Sequence, residues 1–530
     1  ADDGIPAPLW SRGLGDVYKR QTLSNGNLDI TTQADPAKCL STIGMSSGKW
    51  YSEFTCTNNS PNPGLATSQT DLTSGFLGND AYGWVYGANG KKYHNDPGAS
   101  GVTYGDSYTT GDVIGVAFDA DAGTLTFYKE GVSQGAAYTG LTSGPYFFAT
   151  GGSYSSSVAN FGQRPFAHTP PTGYKALCTQ NFDDPLIKDP STAFDVKTWQ
   201  GNGVNSARTI SGYNFSPDLV WGKSRTAGYR HLLYDTVRGV GKDLRSDTTA
   251  TEGTNDQYGY LSAFNSDGFT TSSGSTDNDH WNHQTKNYVA WAWDAGTAFS
   301  NASGSNGATM ASSGKANQNA GISIVTYSYT GTGQYSYVHG LNVKPDLVIR
   351  KARNLSEDWS VYHGAMGFDE RAHLNNTNAS SGTTTFRSDQ GNPTSALNYI
   401  NNNNTSNVVE YVFAAVPGFS SFGRYEGNGI ANGPFIYTGF RPRFILLKNV
   451  DNYGTGYDWF IHDTARDPVN TSNDRYIKAS QADAEQTYEM LDILSNGFKI
   501  RNTLGSYNLT QHTHVYAAFA ENPFKYARAF

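Results

Sequence analysis

FILLKNVDNYGTGYDWFIHDTAR, residues 444–466, decides how this chain is read. Its His462–Asp463 step, with Arg466 nearby, has the ingredients of a catalytic dyad. The same layout occurs twice upstream, however. A glycine, a proline and an apolar run appear in Gly212–Trp221, Gly340–Ile349 and Gly439–Leu446, with Pro217, Pro345 and Pro442 spaced by 128 and 97 residues. Proline fixes φ and removes a donor ahead of each run, and each run has strand length. Lys223, Lys351 and Lys448 end these strands, and Tyr229–Arg238, Asp358–His363 and Asp458–Arg466 follow. Across the copies, His462 is matched by Tyr234 and Tyr362, and Asp463 by Asp235 and His363. What persists is a mixture of large aromatic and aliphatic residues, which is a strand-packing requirement. No catalytic residue is assigned. The Asp–Thr–x–Arg steps predict turns in which Asp235 pairs with Arg238 and Asp463 with Arg466.

The copies close on Tyr288–Trp293, Tyr411–Val416 and His514–Phe519, and two carry a polar–Gly–Phe signature at Asp267–Phe269 and Asn496–Phe498. The middle copy lacks that signature and has Gly364 where the others have Thr236 and Thr464. Solenoid units repeat every 20 to 50 residues, so units of about 100 residues read as whole domains, each with its own core. Their alternation suits a β-sandwich or a jelly roll equally.

Composition agrees with an all-β chain. Glycine contributes 59 of the 530 residues and tyrosine 34, while charged residues are only 16%. Short strands joined by tight turns fit that mixture better than long surface helices. A formal net charge of −8 with no basic block argues against nucleic-acid binding. No run of about 18 apolar residues exists, so no membrane insertion is expected. The opening ADDGIPAPLW lacks the pattern of a signal peptide. Cys39, Cys56 and Cys178 fit neither a disulfide framework nor a metal knuckle, which suits synthesis in a reducing cytoplasm. Gly15–Gln21 looks like a translated transposon adapter, so no function is placed there.

The first domain follows. In residues 111–132, GDVIGVAFDADAGTLTFYKEGV, Val113, Gly115 and Ala117 share one parity and Ile114, Val116 and Phe118 the other. That predicts a strand buried on both faces, a turn at Asp119–Gly123 and a returning strand Leu125–Tyr128. Counted as a calcium loop from Asp119, the pattern fails: Gly123 and Thr124 occupy positions needing a ligand and a glycine. Gly48–Tyr51, this hairpin and Ala159–Gly162 together resemble a SPRY domain. The resemblance implies a concanavalin-like β-sandwich that binds peptides or other ligands through its loops, without enzyme chemistry.

The repeats resemble a domain family found in tail and other virion-associated proteins of marine bacteriophages, often beside a SPRY-like or lectin-like domain. The resemblance is carried by Pro217–Val220 and Pro345–Val348, Tyr234–Gly239, "FNSDGF" at 264–269, "YVAWAW" at 288–293 and the ending Ala517–Phe524. The expected organisation is a lead at 1–28, a SPRY-like sandwich at 29–168, and three related β-sandwich or jelly-roll domains at 169–298, 299–418 and 419–530.

Other clusters read as structural. Asp277, Asp279, His280 and His283 lie in a Ser/Gly/Asn loop without helical metal spacing, and His512 and His514 share one strand face. No metal and no cofactor are expected. Aromatics flanked by glycine are the better contact candidates: Tyr82, Trp84, Tyr86 and Tyr93, with Trp281 in the first repeat. Ser300–Gln318 and Asn375–Thr405 read as loops that order only against a neighbour.

The expected function is that of a virion protein, in a tail fibre, appendage or capsid-surface decoration, attaching to a host by multivalent contacts. Its partners would be copies of itself, other virion proteins and a host glycan or protein. A glycan-active depolymerase, or a bacterial surface lectin or adhesin, is the alternative.

Overall fold

The computed structural model describes residues 21–526 except 33–36, 59–60, 71–74, 143, 204–205, 368–369, 383–392, 403–404 and 472. Of the adapter-like stretch Gly15–Gln21, residues 15–20 lie outside the described residues, as does part of the predicted loop 375–405. Apart from a four-residue helical turn, Gly505–Asn508, and three 3-10 turns, the regular elements described are strands. The chain divides into two compact units: residues up to Asp183 with Phe435–Gly439, and residues 184–434 with 440–528.

The first unit is built on two antiparallel-rich sheets. One runs Gln21–Ser24, Asp29–Thr32, Ser156–Asn160, Lys49–Asn58, Val113–Asp119, Thr124–Lys129 and Val132–Tyr138. The other runs Ala37–Leu40, Tyr146–Gly152, Asn62–Thr67, Gly83–Tyr86, Lys91–Tyr93 and Val102–Thr103. Rings interlock between them: Phe118 meets Tyr146 at 5.2 Å and Phe148 meets Phe161 at 6.1 Å. The predicted hairpin is present, with Asp119 opposite Thr124. Asp119 accepts from the Ala122 N–H at 3.0 Å and pairs with Lys49 at 2.9 Å, so the acidic turn is closed by its own contacts.

In the second unit, each sequence repeat contributes a large sheet. Strand order is Phe194–Gln200, Asn287–Trp293, Leu219–Ser224, Leu232–Asp235 in the first repeat. Ile322–Tyr329, Ser406–Phe413, Leu347–Ala352, Ser360–His363 repeat it in the second, and Ser420–Glu426, Thr513–Pro523, Phe440–Asn449, Phe460–Asp463 in the third. Each also has a small antiparallel sheet, for example Arg208–Ser211, Gly268–Ser272 and Tyr260–Asn265 in the first.

Side-chain period two explains why the large sheets bury both faces. Val220, Ala290 and Ala292 pack with Ile210, Leu261 and Phe269 of the first repeat's small sheet. Residues of the opposite parity, Leu219, Trp221, Trp291 and Trp293, enter a core shared by all three repeats. Leu347, Ile349, Tyr411 and Phe413 come from the second repeat, and Phe444, Leu446, Ala517 and Phe519 from the third. At its centre Trp293, Phe413 and Phe519 touch in a triangle, with centroid separations of 6.3, 5.7 and 5.7 Å. A cavity of about 20 Å³ remains beside them, lined only by apolar residues of all three copies.

The expectation of one private core per repeat is therefore half of the arrangement: the repeats also close around a common one. Two further expectations change. Leu219, Leu347 and Phe444 pair with Trp293, Phe413 and Phe519, so the middle copy's equivalent of Tyr288–Trp293 is Val408–Phe413, three residues before Tyr411–Val416. The low-complexity stretch 300–318 is largely a hairpin, with Thr297–Asn301 paired to Ser312–Asn317 on the edge of the second sheet.

Candidate ligand-binding groove

Residues 444–466 are structural. His462 is buried, with its Nε2 2.7 Å from the Tyr507 hydroxyl, and burial lowers its pKa to about 3. Asp463 accepts from Arg466 Nε at 2.5 Å and from Trp291 Nε1 at 2.9 Å, and Asp235 accepts from Arg238 Nε, as the turn reading predicted. Lys223, Lys351 and Lys448 point their ammonium groups at loop carbonyls, among them Ser224, Glu357 and Tyr457 at 2.8, 2.7 and 2.7 Å. Burial pushes them down to about 7, 8 and 7. Their persistence is a loop-anchoring requirement.

The other clusters are likewise occupied internally. His280 pairs with Asp256 at 3.1 Å, Tyr229 donates to Asp279, and His514 is buried beside Asn449. Among the described residues, no group of three or more His, Cys, Asp or Glu is placed to hold a metal ion.

The predicted aromatic contact set needs correction. Trp84, Tyr86 and Tyr93 are buried, and so is Trp281; Tyr82 alone is half-exposed. Gly83–Tyr86 is an interior strand of its sheet and is buried at all four positions, so both of its faces are covered. Trp84 stacks on His94 at 4.6 Å, Tyr86 donates to the Asp106 carbonyl, and Trp281 stacks near Trp199 at 6.3 Å. The glycines around these rings serve close packing. A Cβ at Gly87 would meet the Tyr93 ring at 2.7 Å, and one at Gly101 would meet it at 2.6 Å.

That packing shapes an open groove of about 380 Å³ in the first unit. Its lining includes Asn62, Phe76, Asn89, Tyr93, Ala99 and Ser153. Phe76 meets Tyr93 edge-on at 5.7 Å, and Asn89 Nδ2 donates to the Tyr93 hydroxyl at 2.7 Å. Next to Ser153, Tyr154 is 63% exposed and holds a left-handed backbone at φ 49°. A bulky residue in that region is strained, and such strain concentrates at functional positions. Sequence reading passed over Tyr154, although its flanks, GGSYSSS at 151–157, carry the same small-residue signal as the chosen loop.

Comparison with known proteins agrees with this division. Residues 49–164 match the SPRY domain, so the first unit is a SPRY-type β-sandwich, a class of domain that binds rather than catalyses. Residues 189–523 match the family described as Domain of unknown function (DUF7483), and the chain belongs to that family. That match spans all three repeats, as the shared core does.

Among curated relatives, an ATP-dependent RNA helicase DDX1 of Xenopus laevis is 30% identical over 158 residues, which are 29% of this chain and 20% of the relative. Protein ssh4 of Sclerotinia sclerotiorum is 31% identical over 155 residues, 28% of each chain. The chain thus spans less than a third of the length of these relatives. Among solved structures, the SPRY domain of human HERC1 is 19% identical, with TM-score 0.24, covering 27% of this chain and 94% of that one. A human SPRY domain is 16% identical, with TM-score 0.23, covering 28% and 98%. Among the described residues, no helix is long and apolar enough to cross a membrane.

Proposed function

We propose that this is an adhesive recognition protein. Its SPRY unit takes a surface ligand in the groove lined by Asn62, Phe76, Asn89 and Ser153, and its three-repeat body, in the narrower description three β-sandwiches, serves as a rigid mount. The observation that carries the reading is the groove itself: an open site of about 380 Å³ in a fold whose class is defined by binding. The setting we propose is a virion, as a tail appendage or surface decoration present in several copies. There, weak sites on one particle gain residence through effective concentration. The resemblance of the repeats supports that setting. A lectin or adhesin on a bacterial surface is the second reading, and the uncharged amide and hydroxyl lining of the groove favours it.

A mixed array of displayed peptides and glycans, probed with the labelled full chain, tests the proposal. Ser153→Trp adds bulk at an exposed position and is expected to abolish the retained signal while the fold stays intact. Retention of the signal by the folded variant would move the site away from this groove. Mass photometry of the same preparation is expected to show a defined oligomer; a monomer alone would remove the multivalent mechanism.

A further inference from the structure

We infer that the groove is selective for a neutral carbohydrate, an inference that rests on the binding reading above and names its ligand class. Among the described residues that line the groove, none carries a carboxylate, ammonium, guanidinium or imidazole group. The charged groups close in sequence are engaged with backbone. Lys91 Nζ donates to the Ser100 carbonyl at 2.8 Å, and Asp96 accepts from the Gly101 N–H at 2.7 Å. An acidic or basic ligand would enter without a counter-charge from the wall.

What the wall offers is a set of neutral donors and acceptors on half-buried Asn62 and on exposed Asn89 and Ser153. Asn62 and Asn89 present amides, and Ser153 presents a hydroxyl. An amide is both donor and acceptor, which matches vicinal hydroxyls that are themselves both. Phe76 supplies an apolar wall, and the weakly polarised C–H face of a sugar ring packs on such a surface. Tyr154, the next residue after Ser153, is exposed and held at φ 49°. A peptide would instead favour an open strand edge or a deep apolar anchor pocket. Beside half-buried Phe76 and the buried Tyr93 ring, the groove walls hold only small or polar groups.

Saturation-transfer NMR on the full chain decides this. The probes are methyl glycosides of glucose, galactose, mannose and N-acetylglucosamine, a glucuronide, and a pool of uncharged octapeptides. Transfer to at least one neutral glycoside is expected, strongest at its ring C–H protons, with at least a tenfold loss in Asn89→Ala and in Ser153→Trp. Both changes are at exposed positions, and far-UV circular dichroism confirms folding. A glucuronide preferred over every neutral sugar would overturn the inference. So would peptide transfer that the sugars do not displace, although that result leaves the recognition reading standing. No transfer to any probe, combined with an empty array, would remove both.

Discussion

Two junctions inside the repeat body invite comparison. Between the first and second repeats, Asp235 holds Arg238, the Tyr411 hydroxyl donates to Asp235 at 2.9 Å, and Glu252 takes Arg238 at 3.1 Å and Arg353 at 2.8 Å. Between the second and third repeats, His363 stands where Asp235 does, Met366 where Arg238 does and Val450 where Arg353 does. There, His363 Nε2–H donates to the Tyr516 carbonyl at 3.0 Å, and its Nδ1 accepts from the Ala365 N–H at 3.1 Å. The third-to-first junction returns to the charged form, with Asp463, Arg466, Glu485 and Arg225, and Trp291 in the place of Tyr411. One geometry is therefore closed twice by charge and once by a neutral ring. A common staple accompanies it: ring N–H groups of His231, Trp359 and Trp459 reach the carbonyls of Lys478, Arg245 and His373 in the neighbouring repeat at 3.0, 2.8 and 2.8 Å. The staple keeps its ring-to-carbonyl direction in all three places, whereas at the compared position Asp235 and Asp463 accept across the junction and His363 donates.

The largest expected effect breaks a charged junction. Asp463→Ala leaves Arg466 buried without its main partner and Trp291 Nε1–H without its acceptor, and should cost about 3–5 kcal/mol in denaturant unfolding. His363→Ala at the neutral junction orphans one carbonyl and one N–H, and should cost about 1–3 kcal/mol. Equal losses would mean that the charge is incidental to the junction.

Acid should separate the junctions next. Burial lowers the His363 pKa from 6.5 to about 4, and its two nitrogens are committed as one donor and one acceptor, so a second proton breaks the Ala365 contact. A folded pKa below the unfolded one means that the unfolded chain binds more protons between those values. The His363 contribution is therefore complete above pH 6.5 and lost as pH falls towards about 4, an effect of about 3 kcal/mol. Wild-type protein should lose that much more stability than His363→Gln across the same window. Parallel pH profiles would show that the ring accepts its proton without opening the contact.

Much of this was legible in the sequence. Proline–apolar spacing located the strands Leu219–Ser224, Leu347–Ala352 and Phe440–Asn449, and Asp–Thr–x–Arg located the charged turns. The shared core was not legible, because apolar residues of both parities in Leu219–Ser224 report burial on two faces without naming what covers the second. The middle closing strand slips by three because Tyr411–Val412 repeats the Tyr288–Val289 step in sequence, whereas cross-strand pairing sets Phe413 opposite Leu347. Exposure failed for a related reason. Glycine beside an aromatic signals either a loop tip, as at Tyr154, or a ring packed on backbone, as at Tyr93 against Gly87 and Gly101. The two have the same local sequence and opposite accessibility.

The smallest expected effect sharpens the comparison between the two charged junctions. Burial alone would raise Glu252, but Arg353 and Arg238 more than offset it and hold the carboxyl below its usual range. Glu485 is held down in the same way by Arg225, Arg466 and Arg475. Each carboxylate keeps some contact with solvent, and each deeper arginine retains its aspartate when the glutamate is neutralised. Glu252→Gln and Glu485→Gln should therefore cost only about 1 kcal/mol each, less in high salt. Because the pairs share no partner, the double variant should equal the sum to within about 0.5 kcal/mol. A larger double loss would mean that the three sheets transmit strain through the ring triangle of Trp293, Phe413 and Phe519, so that loosening one junction loosens the next.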